Sequence, residues 1–239
     1  MLSPYGLDIV ESCLSCKMRA DHIFCDLPTT ALQALESIKF ATTYPKGAVL
    51  FVEDQTPRGM FVICKGRVKL SICSTDGKTL ILKIAEVGEV LGLSASVCGK
   101  PYELTAETVD PCQITFVKRE DFLRFMKENN EACLRVAEQL SKKYETVCRT
   151  IRSLAMSHSA AERLGLLLLE WMVKDGEKAK TETRMKLSLT HEELAQMIGT
   201  SRETVTRLFA EMKKKDILQV KGSTLVIRNE AALKVFGTA

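Results

Sequence analysis

A chain of 239 residues with a net charge of +4 has room for one large domain or two small ones, each with a well-packed core. The mild positive charge permits nucleic-acid binding without itself suggesting it. No apolar run approaches the ~20 residues that cross a membrane, and the N-terminus lacks the pattern of a secretory signal. We therefore expect a cytoplasmic protein without a membrane partner, in which thiols stay reduced.

Residues 1–27 form an irregular leading segment that contains three of the nine cysteines, Cys13, Cys16 and Cys25. The other six cysteines lie within strand or helix patterns, where cysteine often behaves as a small buried hydrophobe. Clustered thiols that begin with a C-x2-C spacing are compatible with an iron–sulfur cluster, a structural zinc site or a thiol–disulfide switch. The spacing alone does not choose among these three, nor does it exclude that the thiols bind nothing.

Residues 28–120 are typical of a β-rich domain. A short helix at 29–37 precedes β-rich runs that begin near residue 44 and are separated by glycines from Gly47 to Gly92. Turn signals about every 8 to 12 residues between such runs predict an antiparallel sandwich or barrel. Asp76-Gly77 is a favourable hairpin turn within this pattern.

Residues 121–157 carry a helical pattern whose apolar positions recur in alternating steps of four and three. This spacing is the a/d seam of a two-stranded coiled coil, and it continues for about three heptads. A helix that lies on its own β domain is the alternative, but the narrow stripe favours a homodimer. The predicted dimer interface consists of Ala137, Leu140, Tyr144, Val147, Ile151 and Leu154.

Residues 158–239 form the last predicted domain, which contains a helix-turn-helix pattern at 188–209. Thr190 and Ser201 are placed to cap its two helices, and Gly199 supplies the residue that tolerates a sharp turn. Apolar residues on the second helix recur at helical spacing, so the polar residues near its start face outward. A recognition helix contacts base edges with such residues, and arginine can bond guanine while glutamate accepts from cytosine.

Two short strands at 217–227, joined around Lys221-Gly222-Ser223, predict a β-hairpin that would make the domain a winged helix. Lys221 at the hairpin tip is placed to contact a phosphate. No arrangement of nucleophile and base is visible in the sequence, so we do not expect an enzyme. The predicted DNA-binding residues are Thr190, Ser201, Arg202, Glu203, Thr206, Arg207 and Lys221.

Together, the glycine-separated strands, the long helix, the AERL segment (161–164) and the SRETVTR segment (201–207) resemble the Crp/Fnr family of transcription regulators. The resemblance implies an α+β fold with a cyclic-nucleotide-binding-like β-barrel (jelly roll), a dimerisation helix and a C-terminal winged helix-turn-helix. It also implies a sensory role for the barrel, double-stranded DNA as a partner, and RNA polymerase as a further partner.

One branch of this family binds cyclic nucleotide through a phosphate cassette, and Gly88–Leu93 resembles the start of that cassette. The Arg-Ser pair that follows in the family is missing, because this chain has Lys100-Pro101 and then Glu103. Lysine offers a point charge without the bidentate fork of arginine, and proline removes a backbone donor. We therefore expect no cyclic nucleotide, although a ligand in the barrel remains the alternative signal.

The oxygen-sensing branch binds a [4Fe–4S] cluster through three N-terminal cysteines and one in the barrel. Cys13, Cys16 and Cys25 match the first three, and Cys112, which follows Glu107-Thr108, matches the fourth. Eight residues separate Cys16 from Cys25, which is longer than in the best-known members. The resemblance thus implies a [4Fe–4S] cluster and oxygen or redox sensing, with zinc or a thiol switch as alternatives.

The second helix of the helix-turn-helix resembles that of the nucleotide-responsive branch, whose members recognise TGTGA half-sites. Arg202 and Thr206 stand where the oxygen-sensing branch usually has an apolar residue and a serine. We therefore predict a palindrome close to TGTGA-N6-TCACA.

Overall fold

The computed structural model of the protein describes residues 5–17, 25–179 and 182–236. The chain divides into two compact units, Met1–Val147 and Cys148–Ala239. In the described residues, no helix is both long and apolar enough to cross a membrane.

In the residues that the structure describes, the first unit is built on eight antiparallel strands. A helix, α1 (Thr29–Ile38), precedes them, and α2 (Leu93–Cys98) interrupts them. The strands are β1 (Lys39–Tyr44), β2 (Val49–Phe51), β3 (Gly59–Lys65), β4 (Val68–Cys73), β5 (Thr79–Ala85), β6 (Val90–Leu91), β7 (Thr105–Thr108) and β8 (Cys112–Lys118). They pair in a first sheet of order β1-β8-β3-β6 and a second of order β2-β7-β4-β5, as expected of a jelly roll.

Two apolar clusters lie on opposite faces of the first sheet. The inner cluster fills the space between the two sheets and includes Phe51, Phe61, Ile63, Val68, Leu70, Tyr102, Ala106, Cys112 and Ile114. The outer cluster packs helices and the N-terminal segment against the other face, and includes Leu27, Leu32, Leu35, Met60, Val62, Val117, Phe122, Phe125 and Val136. Alternate residues of β3 and β8 therefore belong to different clusters, since strand side chains alternate between faces.

The single helix expected at 121–157 is two helices, α3 (Arg119–Glu128) and α4 (Asn130–Met156). They meet at Asn129, whose backbone is extended and whose side-chain amide donates to the Phe125 carbonyl at 2.8 Å. Phe122 and Phe125 are buried in the outer cluster, which holds α3 on the β domain. The boundary between the two units lies inside α4.

The second unit is a winged helix. Its elements are α5 (Ala160–Asp175), β9 (Glu177–Ala179), β10 (Glu182–Lys186), α6 (His191–Ile198), α7 (Arg202–Lys214), β11 (Leu218–Lys221), β12 (Thr224–Ile227) and α8 (Glu230–Lys234). The sheet order is β11-β12-β10-β9, and the predicted hairpin is formed by β11 and β12. Strands β9 and β10 are not among the elements predicted from the sequence.

Candidate functional site

Helix α6 begins with the predicted capping box. The Thr190 hydroxyl accepts from the Glu193 amide at 3.2 Å, and the Glu193 carboxylate accepts from the Thr190 amide at 2.8 Å. Two backbone donors at the start of the helix are thereby satisfied. The helix ends at Gly199, whose φ of +62° lies in the left-handed region that favours glycine. The turn that follows brings the chain directly into α7.

Helix α7 presents a polar face to solvent. Ser201 caps the helix by accepting from the Thr204 amide at 3.2 Å. Apolar residues Val205, Leu208, Phe209 and Met212 are buried on the other side. The exposed residues on the first two turns, which we call the reading face, are Arg202, Glu203, Thr206 and Arg207.

His191, which is not among the predicted DNA-binding residues, supports the reading face. Its Nδ1 lies 2.9 Å from the Thr206 hydroxyl, which itself donates to the Arg202 carbonyl at 3.0 Å. The Thr206 oxygen is therefore the acceptor and the imidazole Nδ1–H the donor. The ring also stacks on Phe209, with centroids 4.9 Å apart. Burial, reinforced by the charges of Lys213 and Arg202, lowers the pKa of His191, so the imidazole is neutral at pH 7.

A surface pocket opens where the starts of α6 and α7 come together, and it is lined by Thr190, His191, Glu192 and Arg202. The pocket borders the reading face through Arg202, and the Glu192 carboxylate also lines it, so we assign no phosphate site to the pocket itself.

The hairpin of β11 and β12 places Lys221 at its exposed tip. Lys221 pairs with Thr224 across the two-residue turn, in which Gly222 has a φ of +59°. The tip thus presents a solvated ammonium group, as a phosphate contact requires.

The predicted metal-binding cysteines do not come together as a set of four. Cys13 and Cys25 pack against the outer cluster. Cys16 is half-buried beside Cys13, and its amide donates to the Cys13 carbonyl at 3.4 Å. Cys112 is fully buried in the inner cluster, on the opposite face of the first sheet. Its thiol lies within hydrogen-bonding distance of two backbone carbonyls in the connections beside β8, those of Asp110 at 3.2 Å and Arg67 at 3.3 Å.

The half-buried thiols of Cys13 and Cys25 are not activated. Burial raises the pKa of Cys13 to about 11, although nearby Lys39 opposes this rise, and it raises the pKa of Cys25 to about 12. Both side chains are therefore neutral thiols at pH 7, whereas a thiol–disulfide switch requires the thiolate. A thiophilic metal remains compatible with them, because it displaces the protons as it binds.

Cys13 and Cys25 share the outer face of the first sheet, whereas Cys112 lies on its inner face. Within the described residues, no three Cys, His, Asp or Glu side chains are placed closely enough to hold a metal ion. The thiols supply the donor type that a thiophilic metal takes, but not a formed set of ligands.

In the cassette-like segment Gly88–Leu93, the Glu89 carboxylate already has an ion-pair and a hydrogen-bond partner within the protein. The Glu89 carboxylate pairs with Lys83 and accepts from the Glu86 amide at 3.0 Å. Lys143 of α4 lies near these charges. Burial lowers the pKa of the Lys143 ammonium to about 8, although the negative charges of Glu89 and Glu103 act to raise it. Glu89 thus already has an ammonium partner within the protein, Lys83.

Tyr102 occupies the interior beside this segment. Its hydroxyl donates to the Gly59 carbonyl at 2.6 Å, and its ring stacks on Phe51 with centroids 4.1 Å apart. A Cβ at Gly92 would lie 2.6 Å from the Tyr102 ring, so the close packing requires glycine there. Lys100 and Pro101, which replace the Arg-Ser pair, lie exposed in the preceding loop.

Two family models match this chain. The cyclic nucleotide-binding domain matches residues 41–129, and the Crp-like helix-turn-helix domain matches residues 162–236. The chain belongs to the Crp/Fnr family of transcription regulators. The predicted fold is thereby confirmed, whereas membership of the oxygen-sensing branch is not.

Curated relatives match over most of their length. The cAMP-activated global transcriptional regulator CRP of Pasteurella multocida is 24% identical over 77% of this chain and 88% of that protein. The CRP-like cAMP-activated global transcriptional regulator of Mycobacterium tuberculosis is 22% identical over 88% of this chain and 94% of its own length. This Crp/Fnr chain is thus a DNA-binding transcription regulator.

Solved structures share the fold. FixK2 from Bradyrhizobium japonicum has a TM-score of 0.73 at 21% identity, covering 84% of this chain and 98% of that one. The c-di-GMP responsive global regulator CLP from Xanthomonas campestris has a TM-score of 0.73 at 18% identity, and the match covers 84% of this chain and 99% of that one. CLP is described as responsive to c-di-GMP and the curated relatives as activated by cAMP, so the shared fold does not determine the signal of this Crp/Fnr protein.

Proposed function

We propose that this protein is a homodimeric Crp/Fnr regulator that binds a TGTGA-N6-TCACA palindrome under the control of a redox-sensitive [4Fe–4S] cluster. The observation that carries the DNA-binding part is the reading face, in which Arg202, Glu203 and Arg207 are exposed at the start of a capped, well-packed helix. The proposed site of action is the cytoplasm, with RNA polymerase as the partner on DNA.

The chemistry of the reading face matches this palindrome. The guanidinium groups of Arg202 and Arg207 can each donate two parallel bonds to guanine O6 and N7, and the half-site supplies two guanines. The Glu203 carboxylate can accept from the N4 amino group of cytosine on the opposite strand. Thr190 and the Lys221 tip then contact phosphates on either side of the reading face and set its register.

The dimer places two such faces on one stretch of DNA. Along the predicted seam of α4, Tyr144 is 72% exposed, Val147 47% and Ile151 59%. Apolar side chains at a/d spacing are buried when a second copy of the helix packs against them. A two-fold axis along this seam would give the two half-sites the inverted symmetry of a palindrome.

Control is assigned to the N-terminal thiols. We assume two states of the α4 seam, a tight dimer and a looser one. A [4Fe–4S] cluster bound when oxygen is scarce would favour the tight dimer, which presents both reading faces to DNA. Its loss on oxidation would return the seam to the looser state. The burial of Cys13 and Cys25 against the outer cluster supports this coupling, because Val136 and Leu140 of α4 pack in the same cluster.

Anaerobic purification followed by DNA-binding measurements tests the proposal. We expect fluorescence anisotropy to show tight binding to the palindrome, weak binding to a scrambled duplex, and a loss of specific binding after exposure to air. Iron and sulfide analysis on the same samples should show the cluster before exposure and its loss afterwards. Equal affinity for both duplexes would contradict the base-reading assignment, and specific binding unaffected by air would contradict redox control.

Cyclic nucleotide is expected to have no effect on this regulator. Glu89 is paired with Lys83, and the segment at Lys100-Pro101 lacks a guanidinium for the cyclic phosphate. Millimolar cAMP should therefore change neither the thermal unfolding midpoint nor the affinity for the palindrome. An increase in either quantity, absent with 5′-AMP as the control, would make a ligand in the barrel the signal.

A further inference from the structure

Thr206 lies within the reading face, but its hydroxyl is already engaged inside the protein. The hydroxyl donates to the Arg202 carbonyl at 3.0 Å, and its oxygen accepts from Nδ1 of His191 at 2.9 Å. A hydroxyl has one proton to donate, so Thr206 has no donor left for the keto oxygens or ring nitrogens of the bases. The part of this exposed side chain that makes neither bond is its γ-methyl group.

The imidazole that bonds Thr206 is itself held in place. Its ring stacks on Phe209, with centroids 4.9 Å apart and an angle of 21° between the planes. Phe209 is buried, with 1% of its surface exposed. His191 directly follows Thr190, which caps α6, so its backbone belongs to the first turn of that helix. The Nδ1–H donor is therefore presented at a fixed point beside α7.

The bond from His191 selects one conformation of Thr206. A threonine in a helix divides between two χ1 rotamers, since its hydroxyl can bond a carbonyl of the preceding turn. A fixed donor on another helix adds a bond that only one rotamer can form, because the donor does not follow the oxygen as it turns. Rotation about χ1 moves the oxygen and the methyl together, so fixing the oxygen also fixes the methyl.

The neighbours of Thr206 on the reading face are all charged. Arg202 lies one helical turn earlier, Glu203 lies three residues earlier, and Arg207 is the next residue. These three side chains provide contacts for guanine and cytosine, and none of them provides an apolar group for thymine. In the major groove, the methyl of a threonine is one of the groups that contact the C5-methyl of thymine.

We propose that Thr206 reads one thymine of the half-site through a contact between methyl groups, and that His191 is the positioning residue that holds Thr206 for this contact. The inference rests on the proposed DNA target, and it assigns a base pair that the two arginines and the glutamate leave without a contact. His191 itself touches no base. It acts through the Thr206 hydroxyl.

Duplexes that lack single thymine methyls test the assignment on the wild-type protein. Each thymine of one half-site would be replaced in turn by deoxyuridine, which removes the C5-methyl and keeps the base pairing. We expect one replacement to weaken binding about fourfold, the ratio that burial of one methyl-sized group provides. Deoxyuridine in the flanking duplex is the control. Equal affinity for all of these duplexes would overturn the assignment.

Two variants at position 206 show which group of the side chain reads the base. Thr206→Ser keeps both hydrogen bonds of the hydroxyl and loses the methyl, so it should bind the thymine and deoxyuridine duplexes equally. Thr206→Val loses the hydroxyl and keeps a methyl, held by the stiff χ1 of valine in a helix, so it should retain the preference for thymine. The opposite pattern would show that the hydroxyl reads the base and would overturn the methyl contact.

Two variants at position 191 test the positioning role. His191→Phe keeps an aromatic ring to stack on Phe209 and loses the N–H donor, whereas His191→Asn restores an N–H donor at the distance of Nδ1 from the backbone. We expect His191→Phe to lose most of the preference for thymine over deoxyuridine, and His191→Asn to recover it. A purely structural role would lower the affinity for both duplexes alike. With thermal unfolding as the check of folding, a folded His191→Phe that kept the wild-type preference would overturn the role of His191.

The outcomes separate this inference from the proposed function. Specific binding of the palindrome without any dependence on a thymine methyl removes only the roles of Thr206 and His191. Absence of specific binding overturns the proposed target, and this inference with it. Metal content and redox control are measured separately and depend on neither result.

Discussion

Replacing Arg207 with alanine is expected to weaken binding to the TGTGA palindrome by about 1–3 kcal/mol per half-site, since each bidentate arginine–guanine contact contributes about that much discrimination. Because a dimer uses two copies, the two losses combine on a full palindrome. Arg207 is exposed, immediately before buried Leu208 and Phe209, so its removal leaves the packing of α7 unchanged. Competition binding with duplexes substituted at each half-site position would measure the effect.

Two control variants separate base reading from simple charge. Arg207→Lys keeps the positive charge but loses the planar fork, so it should retain non-specific affinity and lose base preference. Lys221→Ala removes an exposed charge at the wing tip and should weaken all duplexes alike, with a smaller salt dependence. If Arg207→Ala kept the base preference of wild type, Arg207 would not be a base contact.

The DNA-reading unit could be predicted in detail because its determinants are local in sequence. The Thr190–Glu193 capping box, the Ser201 cap and the left-handed Gly199 each depend on residues within one helical turn. The structure has all three as predicted. His191 was overlooked because its role depends on Thr206, fifteen residues away on the next helix.

The thiol arrangement could not be predicted in the same way, because it depends on which face of a strand each residue occupies. Cys112 matches the family in position, yet the sandwich buries it with Ile114 on the inner face. In the sequence, polar Gln113 lies between Cys112 and Ile114, and this alternation already indicates that Cys112 and Ile114 face the same, apolar side of the strand.

The break at Asn129 shows a similar limit. The helical pattern continues through it, but tertiary packing of Phe122 and Phe125 in the outer cluster fixes α3 separately from α4. A periodic pattern reports which residues are apolar, and it does not report that two successive segments bury them against different partners. The seam of α4 is unaffected by this break, since all six predicted interface residues lie after it.

The second large effect is expected at that seam, where Ile151→Glu should convert the protein to a monomer. Ile151 is 59% exposed in the single chain and occupies an a position with Ala137 and Tyr144. In a dimer its side chain would be buried against the partner helix, and a carboxylate there would lose its hydration without gaining a partner. Analytical ultracentrifugation should show a monomer at concentrations where wild type is a dimer.

Lys142→Glu is the matched control, because it places the same carboxylate on the same helix at an exposed position away from the seam. It should leave the dimer intact. Ile151→Glu should also lose most of its affinity for the palindrome while its weak affinity for a single half-site is unchanged, since only the full site uses both subunits. A dimeric Ile151→Glu would show that the α4 stripe does not form the interface. A wild-type dimer of equal stability with and without metal would show that the signal acts on the orientation of the reading faces and not on association.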